Sequence, residues 1–266
     1  MMFWAGRDDL AEIRSLGISC GQLGIGGDIA LTREFTAVWK NALRDEKFSV
    51  VTVVCAFEGE LYTDIPTVQH TVGFMPQRTR AARERRTMQV IDFATELGVP
   101  SVGCHIGFVP DDRTNEDYVA VRDVVRRICD RAASHHQTFA LETGQESAQA
   151  LLRFIEDTGR GNLKINFDPA NMILYGTGDP IEAFEAVAEH VVSIHAKDGD
   201  WPAAAPGALG VERRLGDGAV GMDRFVAALK RHGYQGTVNI EREIEDQGQR
   251  MADIEHGARL LRELSK

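Results

Sequence analysis

Short apolar runs and amphipathic helical stretches alternate along this chain from end to end, and nothing else in the sequence constrains its fold as strongly. Strand signals fall at residues 2–5, 18–23, 50–57, 102–105, 139–142, 163–168, 191–197 and 237–241. Helical periodicity fills the gaps: a helix capped by Asp8 and running through Leu16, one from Thr32 or Glu34 to Leu43, then 79–97, 115–135, 147–157, 180–190, 222–232 and a last one to Leu264. Gly98 is placed to stop the third of these as a left-handed C-terminal cap. Strands joined through helices lie parallel, because a parallel neighbour needs a long crossover. Eight such units predict closure into a (β/α)8 TIM barrel, as a single domain over residues 1–266. The weakest strand is 2–5; without it, seven strands or an open doubly wound sheet fit the same pattern. The segment Gly24-Ile25-Gly26-Gly27-Asp28 does not match GxGxxG, and no GxxxxGK[ST] loop occurs. Both absences argue against a nucleotide-binding sheet.

The length of 266 residues suits one such barrel. Thirty basic against 40 acidic residues leave a formal charge of −10, which disfavours nonspecific binding to nucleic acid. The run from Arg78 to Arg86 is a local exception, read as a solvated helix face. Cys20, Cys55, Cys104 and Cys129 form no CxxC pair and read as buried, reduced thiols of a cytoplasmic protein. No leader-like segment opens the chain, and no apolar run approaches 18 residues, so no membrane partner is expected.

Four of the strands end on a residue able to hold a divalent cation: Glu142, Asp168, His195 and Glu241. Strand-end positions ahead of βα loops are where barrel enzymes keep their chemistry. Alone, each would read as a solvated carboxylate or a structural histidine. Parity joins them, because strand side chains alternate faces. Glu142 shares its face with Ala140 and Thr138, Asp168 with Asn166 and Lys164, His195 with Ser193, and Glu241 with Asn239 and Thr237. The opposite faces carry Phe139 and Leu141, Ile165 and Phe167, Val192 and Ile194, Val238 and Ile240. The bulky apolar residues thus point toward the helices, and the ligand set points into the barrel. Three carboxylates crowded together are costly without a cation. Oxygen and imidazole donors without a thiolate suit one ion of Mn²⁺, Mg²⁺, Co²⁺ or Zn²⁺, with Mn²⁺ the first choice. His105 repeats the parity on the fourth strand.

At Ala140-Leu141-Glu142-Thr143-Gly144-Gln145-Glu146, Asn166-Phe167-Asp168-Pro169-Ala170-Asn171, His195-Ala196-Lys197-Asp198 and Asn239-Ile240-Glu241-Arg242-Glu243 the chain resembles the sugar phosphate isomerase/epimerase family with its xylose isomerase-like TIM barrel. Leu215-Gly216-Asp217-Gly218-Ala219-Val220 is similar to that group's glycine turn before the seventh helix. The resemblance implies that Glu142, Asp168, His195 and Glu241 bind the metal, and that Glu142 and Glu241 also move the proton. The chain departs from the sugar epimerases in two places. Asn171 stands where they commonly carry a histidine, and Lys197-Asp198 stands where they place an arginine, which is closer to inosose dehydratase-like members.

The group's shared chemistry is proton abstraction beside a carbonyl through a metal-stabilised enediolate. The expected function is therefore a metal-dependent isomerase or epimerase of a keto-sugar or polyol, a small-molecule substrate without phosphate. A homo-oligomer, dimer or tetramer, is compatible with this reading. Expected substrate-binding residues are His105, Lys197, Asn171, Glu58, Arg213 and Arg214. Glu243 is expected to form a supporting salt bridge, and Trp4, Phe57, Phe108 and Trp201 to offer an apolar wall. The alternatives are a dehydratase using the same base, an abasic-site endonuclease and a noncatalytic sugar-binding barrel. The endonuclease needs extra histidines and a basic surface that the chain lacks.

Overall fold

A computed structural model describes residues 1–203 and 205–266. Eight strands form one sheet: β1 (Met2–Trp4), β2 (Cys20–Ile25), β3 (Ser49–Cys55), β4 (Ser101–Cys104), β5 (Thr138–Glu142), β6 (Leu163–Phe167), β7 (Val191–Ala196) and β10 (Thr237–Ile240). They lie side by side in chain order, every neighbouring pair parallel. This is the (β/α)8 barrel that the alternation predicts, and the 2–5 segment takes its place as the first strand. The outer layer comprises α1 (Leu10–Ser15), α2 (Arg33–Asp45), α4 (Gln77–Leu97), α5 (Glu116–Ala133), α6 (Ala148–Thr158), α8 (Pro180–Val187), α9 (Met222–Arg231) and α10 (Gln247–Leu264). Gly98 ends α4 at φ +73°, as its position predicts.

The two faces of the strands divide as parity requires. Phe139, Leu141, Ile165, Phe167 and Ile194 are buried in the core beneath the helices, where the Phe167 ring lies 5.6 Å from Phe184 and 5.9 Å from Phe225. The inner face is polar. Gln22 donates to Asn166 Oδ1 across the barrel (2.9 Å), and the Ser193 hydroxyl donates to the same oxygen (2.5 Å). A barrel more commonly fills its interior with branched apolar layers. Here hydrogen-bonded amides form the floor under the site, and satisfying them makes their burial tolerable.

Three elements lie outside the expected order, all at the C-terminal ends of the strands: α3 (Ile65–Thr71), α7 (Pro169–Tyr175) and an antiparallel hairpin of β8 (Asp198–Asp200) and β9 (Val211–Arg213). Helix α7 begins with a proline behind Asp168, whose carboxylate caps it. The segment 191–197 accordingly ends as a strand at Ala196, and 180–190 divides into α8 and a 3₁₀ turn at Ala188–His190.

The arginine run on α4 is only partly the solvated face expected of it. Arg80, Arg83 and Arg86 recur every three residues and turn inward, donating to loop carbonyls at Phe74 and Met75, Gly73 and Glu58, and Gly26 and Ile29, respectively. They clamp the βα loops of the early strands. Arg78 and Arg85 are exposed.

Candidate metal centre

Glu142 closes β5, Asp168 follows β6 directly, His195 lies in β7 and Glu241 follows β10. One ligand atom from each lies within 4.8 Å of the others, and all four residues are buried. His195 Nδ1 is the hub, at 3.0 Å from Glu241 Oε2, 3.2 Å from Glu142 Oε1 and 3.7 Å from Asp168 Oδ2. Its other nitrogen, Nε2, sits 2.6 Å from Gln22 Oε1. A proton on Nε2 donated to that oxygen leaves the Nδ1 lone pair facing the carboxylates, which is the tautomer a metal ligand needs.

Asp168 is oriented by its second task. As N-cap of α7 its Oδ1 accepts from the Asn171 backbone N–H (3.0 Å), which turns Oδ2 toward the hub. Among the described residues, Asp168 Oδ2 and His195 Nδ1 are both buried without a hydrogen-bond partner. Unsatisfied buried polar atoms are rare, and two that face each other call for a ligand. The donor set of three carboxylates and one imidazole fits a hard or borderline divalent cation.

Charge makes the same demand. Burial opposes ionisation of Glu241, yet His195 and Lys197 hold its carboxyl down at about 2. Burial likewise opposes Glu142, which His105 and His195 keep well below the usual carboxylate range. Burial lifts Asp168 above its ordinary value. His195 is driven well above the usual histidine range because Glu241 and Glu142 outweigh its own burial. Without a cation, His195 is the one positive group at the centre of the three acids, with His105 and Lys197 beside only the outer two.

Glu142 and Glu241 line a cavity of about 540 Å³ at the mouth of the barrel, whereas Asp168 and His195 are fully buried and outside its lining. His105, Asn171 and Lys197, three of the residues expected to bind substrate, line it too. His105 Nε2 approaches Glu142 Oε1 at 3.4 Å, and although burial alone would lower the ring's pKa, Glu142 raises it to about 9. Asn171 Nδ2 donates to Glu142 Oε1 and to the Thr143 carbonyl, both at 3.3 Å. Lys197 Nζ bridges Glu241 (3.3 Å) and Glu243 (2.5 Å), so Glu243 has the salt-bridging position anticipated for it. Trp4 and Phe57 are in the wall as well.

Other expected contacts lie elsewhere. Glu58 is exposed and outside the cavity lining; its backbone carbonyl accepts from Arg83, and Glu60 occupies the wall instead. Arg213 pairs with Asp200 (2.7 Å) and Arg214 with Asp217 (2.9 Å), both away from that lining because the β8–β9 hairpin carries them outward. Trp201 is 47% exposed, and Phe108 packs edge-on against Tyr175 at 5.7 Å. Asp198 faces the loop, accepting from the backbone N–H groups of Gly216 and Val220 and so anchoring the glycine turn. Glu60, Tyr62, Tyr175 and Glu212 are wall residues that strand parity did not reach. All four lie in loops or in elements beyond the barrel strands, where alternation carries no information.

The family model of the xylose isomerase-like TIM barrel matches residues 10–264. The chain belongs to this family. Among solved structures, this xylose isomerase-like barrel is similar to a xylose isomerase domain protein from Planctomyces limnophilus, with 40% identity and a TM-score of 0.94 over 99% of this chain and 95% of that one. An L-ribulose 3-epimerase has the same fold at 17% identity and TM-score 0.71, over 96% and 87% of the two chains. So has a xylose isomerase-like TIM barrel protein from Mycobacterium smegmatis in complex with magnesium, at 17% identity and TM-score 0.70, again over 96% and 87%. No curated protein matches the sequence.

Proposed function

We propose that this xylose isomerase-like barrel is a divalent-metal-dependent isomerase or epimerase of a keto-sugar or related polyol, moving a proton beside a carbonyl. The observation that carries the reading is the approach of two ionised glutamates, on β5 and after β10, to the same histidine nitrogen. Glu142, Asp168, His195 and Glu241 would hold the ion, with Mn²⁺ the resident choice among Mn²⁺, Mg²⁺, Co²⁺ and Zn²⁺. When bound, the ion supplies the positive charge that stabilises an enediolate developing beside it.

The protein's own groups handle the proton. Glu142 and Glu241 are both ionised near neutrality and so begin as bases. They come from strands on different sides of the hub: whichever removes the proton becomes the acid that can return it to the same or the neighbouring carbon, and delivery from the opposite side requires the other glutamate to take up a proton from solvent first. Asn171 and His105 hold Glu142 in place, and Lys197 holds Glu241. The free thiols, three of them buried, support a reducing, cytoplasmic setting.

The cationic Lys197 beside Glu241 also favours a second reading, a dehydratase that removes the same proton and then expels a β-hydroxyl. Deuterium exchange from D₂O, screened over keto-sugars and cyclic polyols with Mn²⁺, separates the two. Exchange with retention of every oxygen supports the isomerase, and exchange with loss of water supports the lyase. Absence of exchange from the whole panel by Mn²⁺-loaded protein rejects both.

A further inference from the structure

The cavity wall is acidic well beyond the quartet. Among the described residues it carries Glu60, Glu142, Glu212, Glu241 and Glu243 against His105 and Lys197, and no arginine. Most of these charges are already engaged. Lys197 is held by Glu241 and Glu243, and Glu212 accepts from Arg242 (2.9 Å) and from the Glu243 N–H (3.0 Å). Glu60 differs: among the described residues its hydrogen bonds come only from the backbone, from Phe57 N–H to Oε2 (3.0 Å) and Gly73 N–H to Oε1 (2.8 Å). Each carboxylate oxygen has two acceptor sites, so each keeps one after these bonds.

The shelf beneath Glu60 is rigid. Arg83 donates to the Gly73 carbonyl (2.6 Å) and to the Glu58 carbonyl (3.2 Å), gripping the chain on both sides of Glu60. Gly73 sits at φ +67°, and a β-carbon there would lie 2.0 Å from the Ile106 carbonyl carbon. Only glycine brings this N–H so close to the β4 loop, and the approach fixes Glu60 Oε1. Burial pushes the Glu60 carboxyl above its ordinary value despite the two backbone N–H groups and the nearby His105 and Arg83, so a further donor from a ligand would be favourable.

The geometry points to Glu60 as a specificity-determining residue that accepts a hydrogen bond from a substrate hydroxyl away from the reacting carbon, selecting an uncharged polyol over a phosphorylated or carboxylated sugar. This rests on the proposed function for its site and names the substrate class within it. A hydroxyl donates to a carboxylate acceptor, whereas a phosphate or carboxylate in the same place meets like charge in a partly buried wall, and the guanidinium near Glu60, that of Arg83, lies outside the lining and is bonded to the Gly73 and Glu58 carbonyls.

The test uses the full chain loaded with Mn²⁺. Calorimetric binding is measured for ketohexoses and cyclic polyols beside the 1- and 6-phosphates of the same ketohexoses. Neutral ligands are expected to bind at least tenfold more tightly than their phosphates. Glu60→Gln is expected to raise KM for a neutral substrate roughly ten- to a hundredfold, the size of a hydrogen bond to a charged acceptor. It should change kcat and Mn²⁺ affinity less than threefold, and it should narrow the gap between neutral and phosphorylated ligands. A merely structural role would lower kcat, metal affinity and thermal stability together. Phosphates binding as well as neutral ligands to the wild-type protein, or no neutral ligand binding at all, overturns the inference whether or not the variant folds. Neutral ligands that bind without exchanging a proton overturn the proposed function and leave this inference standing.

Discussion

At Glu142 and Glu241 burial and charge oppose each other, and charge wins: His195 with His105 at one carboxyl, and with Lys197 at the other, keeps both ionised. Glu142→Gln and Glu241→Gln are close in shape but remove the base. Each variant is expected to retain the fold and lose at least a thousandfold in proton exchange, roughly 4 kcal/mol of barrier. Exchange assays beside a circular dichroism melt check this, and near-wild-type exchange with metal still bound would sink the acid/base assignment. His195 has a different part, because its Nδ1 is the point to which all three carboxylates turn. His195→Ala should weaken Mn²⁺ binding by at least a hundredfold, read by metal titration.

Among the elements, the last helix carries a stabilising contact that strand patterning does not show. Arg250 of α10 forms a buried ion pair with Asp8, in the loop after β1, and reaches the Met2 carbonyl at 3.4 Å. Asp8 also accepts from the Trp4 N–H (2.7 Å), so one carboxylate joins the first strand to the last helix. Removing one member of such a pair strands the other charge in the interior. Asp8→Ala is expected to cost about 3–5 kcal/mol, seen as a lower urea midpoint with little change in slope. The sequence pattern places Asp8 as a helix cap; in the structure Asp9 caps α1 and Asp8 takes the ion pair instead. Parity, by contrast, transferred without change from sequence to structure, because in β5, β6, β7 and β10 the apolar face is covered by helices and a slip of one residue would bury the wrong set.

For the whole molecule, the metal should act as a stabiliser, since the folded barrel assembles ligands from four separate strands that the unfolded chain holds far apart. Mn²⁺ at a hundred times its Kd is expected to add about 2.7 kcal/mol, which for a chain of this size raises Tm by roughly 5 to 10 °C. A chelator should reverse the shift in a thermal melt. The pH dependence follows from His195. Its pKa in the metal-free protein lies well above the ordinary value, so near neutrality the ion must displace a proton. Apparent affinity should therefore rise with pH, by about tenfold per unit while His195 stays protonated in the free protein. Titration at several pH values, with proton release read in buffers of different ionisation enthalpy, measures it. Affinity that is flat or falls as pH rises would contradict the assigned coordination through Nδ1.

The sequence by itself determined the barrel, the faces of its strands and the four strand ends that meet at the centre. Those features follow from periodicities of two and 3.6 residues, which act locally and leave a readable pattern. Only the tertiary structure decided the rest of the cavity. It put Glu60 rather than Glu58 in the wall and turned Arg213 and Arg214 outward on a hairpin. It also turned Arg80, Arg83 and Arg86 from an apparent surface run into clamps on the loops. A loop residue's direction depends on which distant backbone groups it meets. For Glu60 these are the N–H groups of Phe57 and Gly73, the second brought close by a glycine 13 residues away, and no local period encodes that meeting.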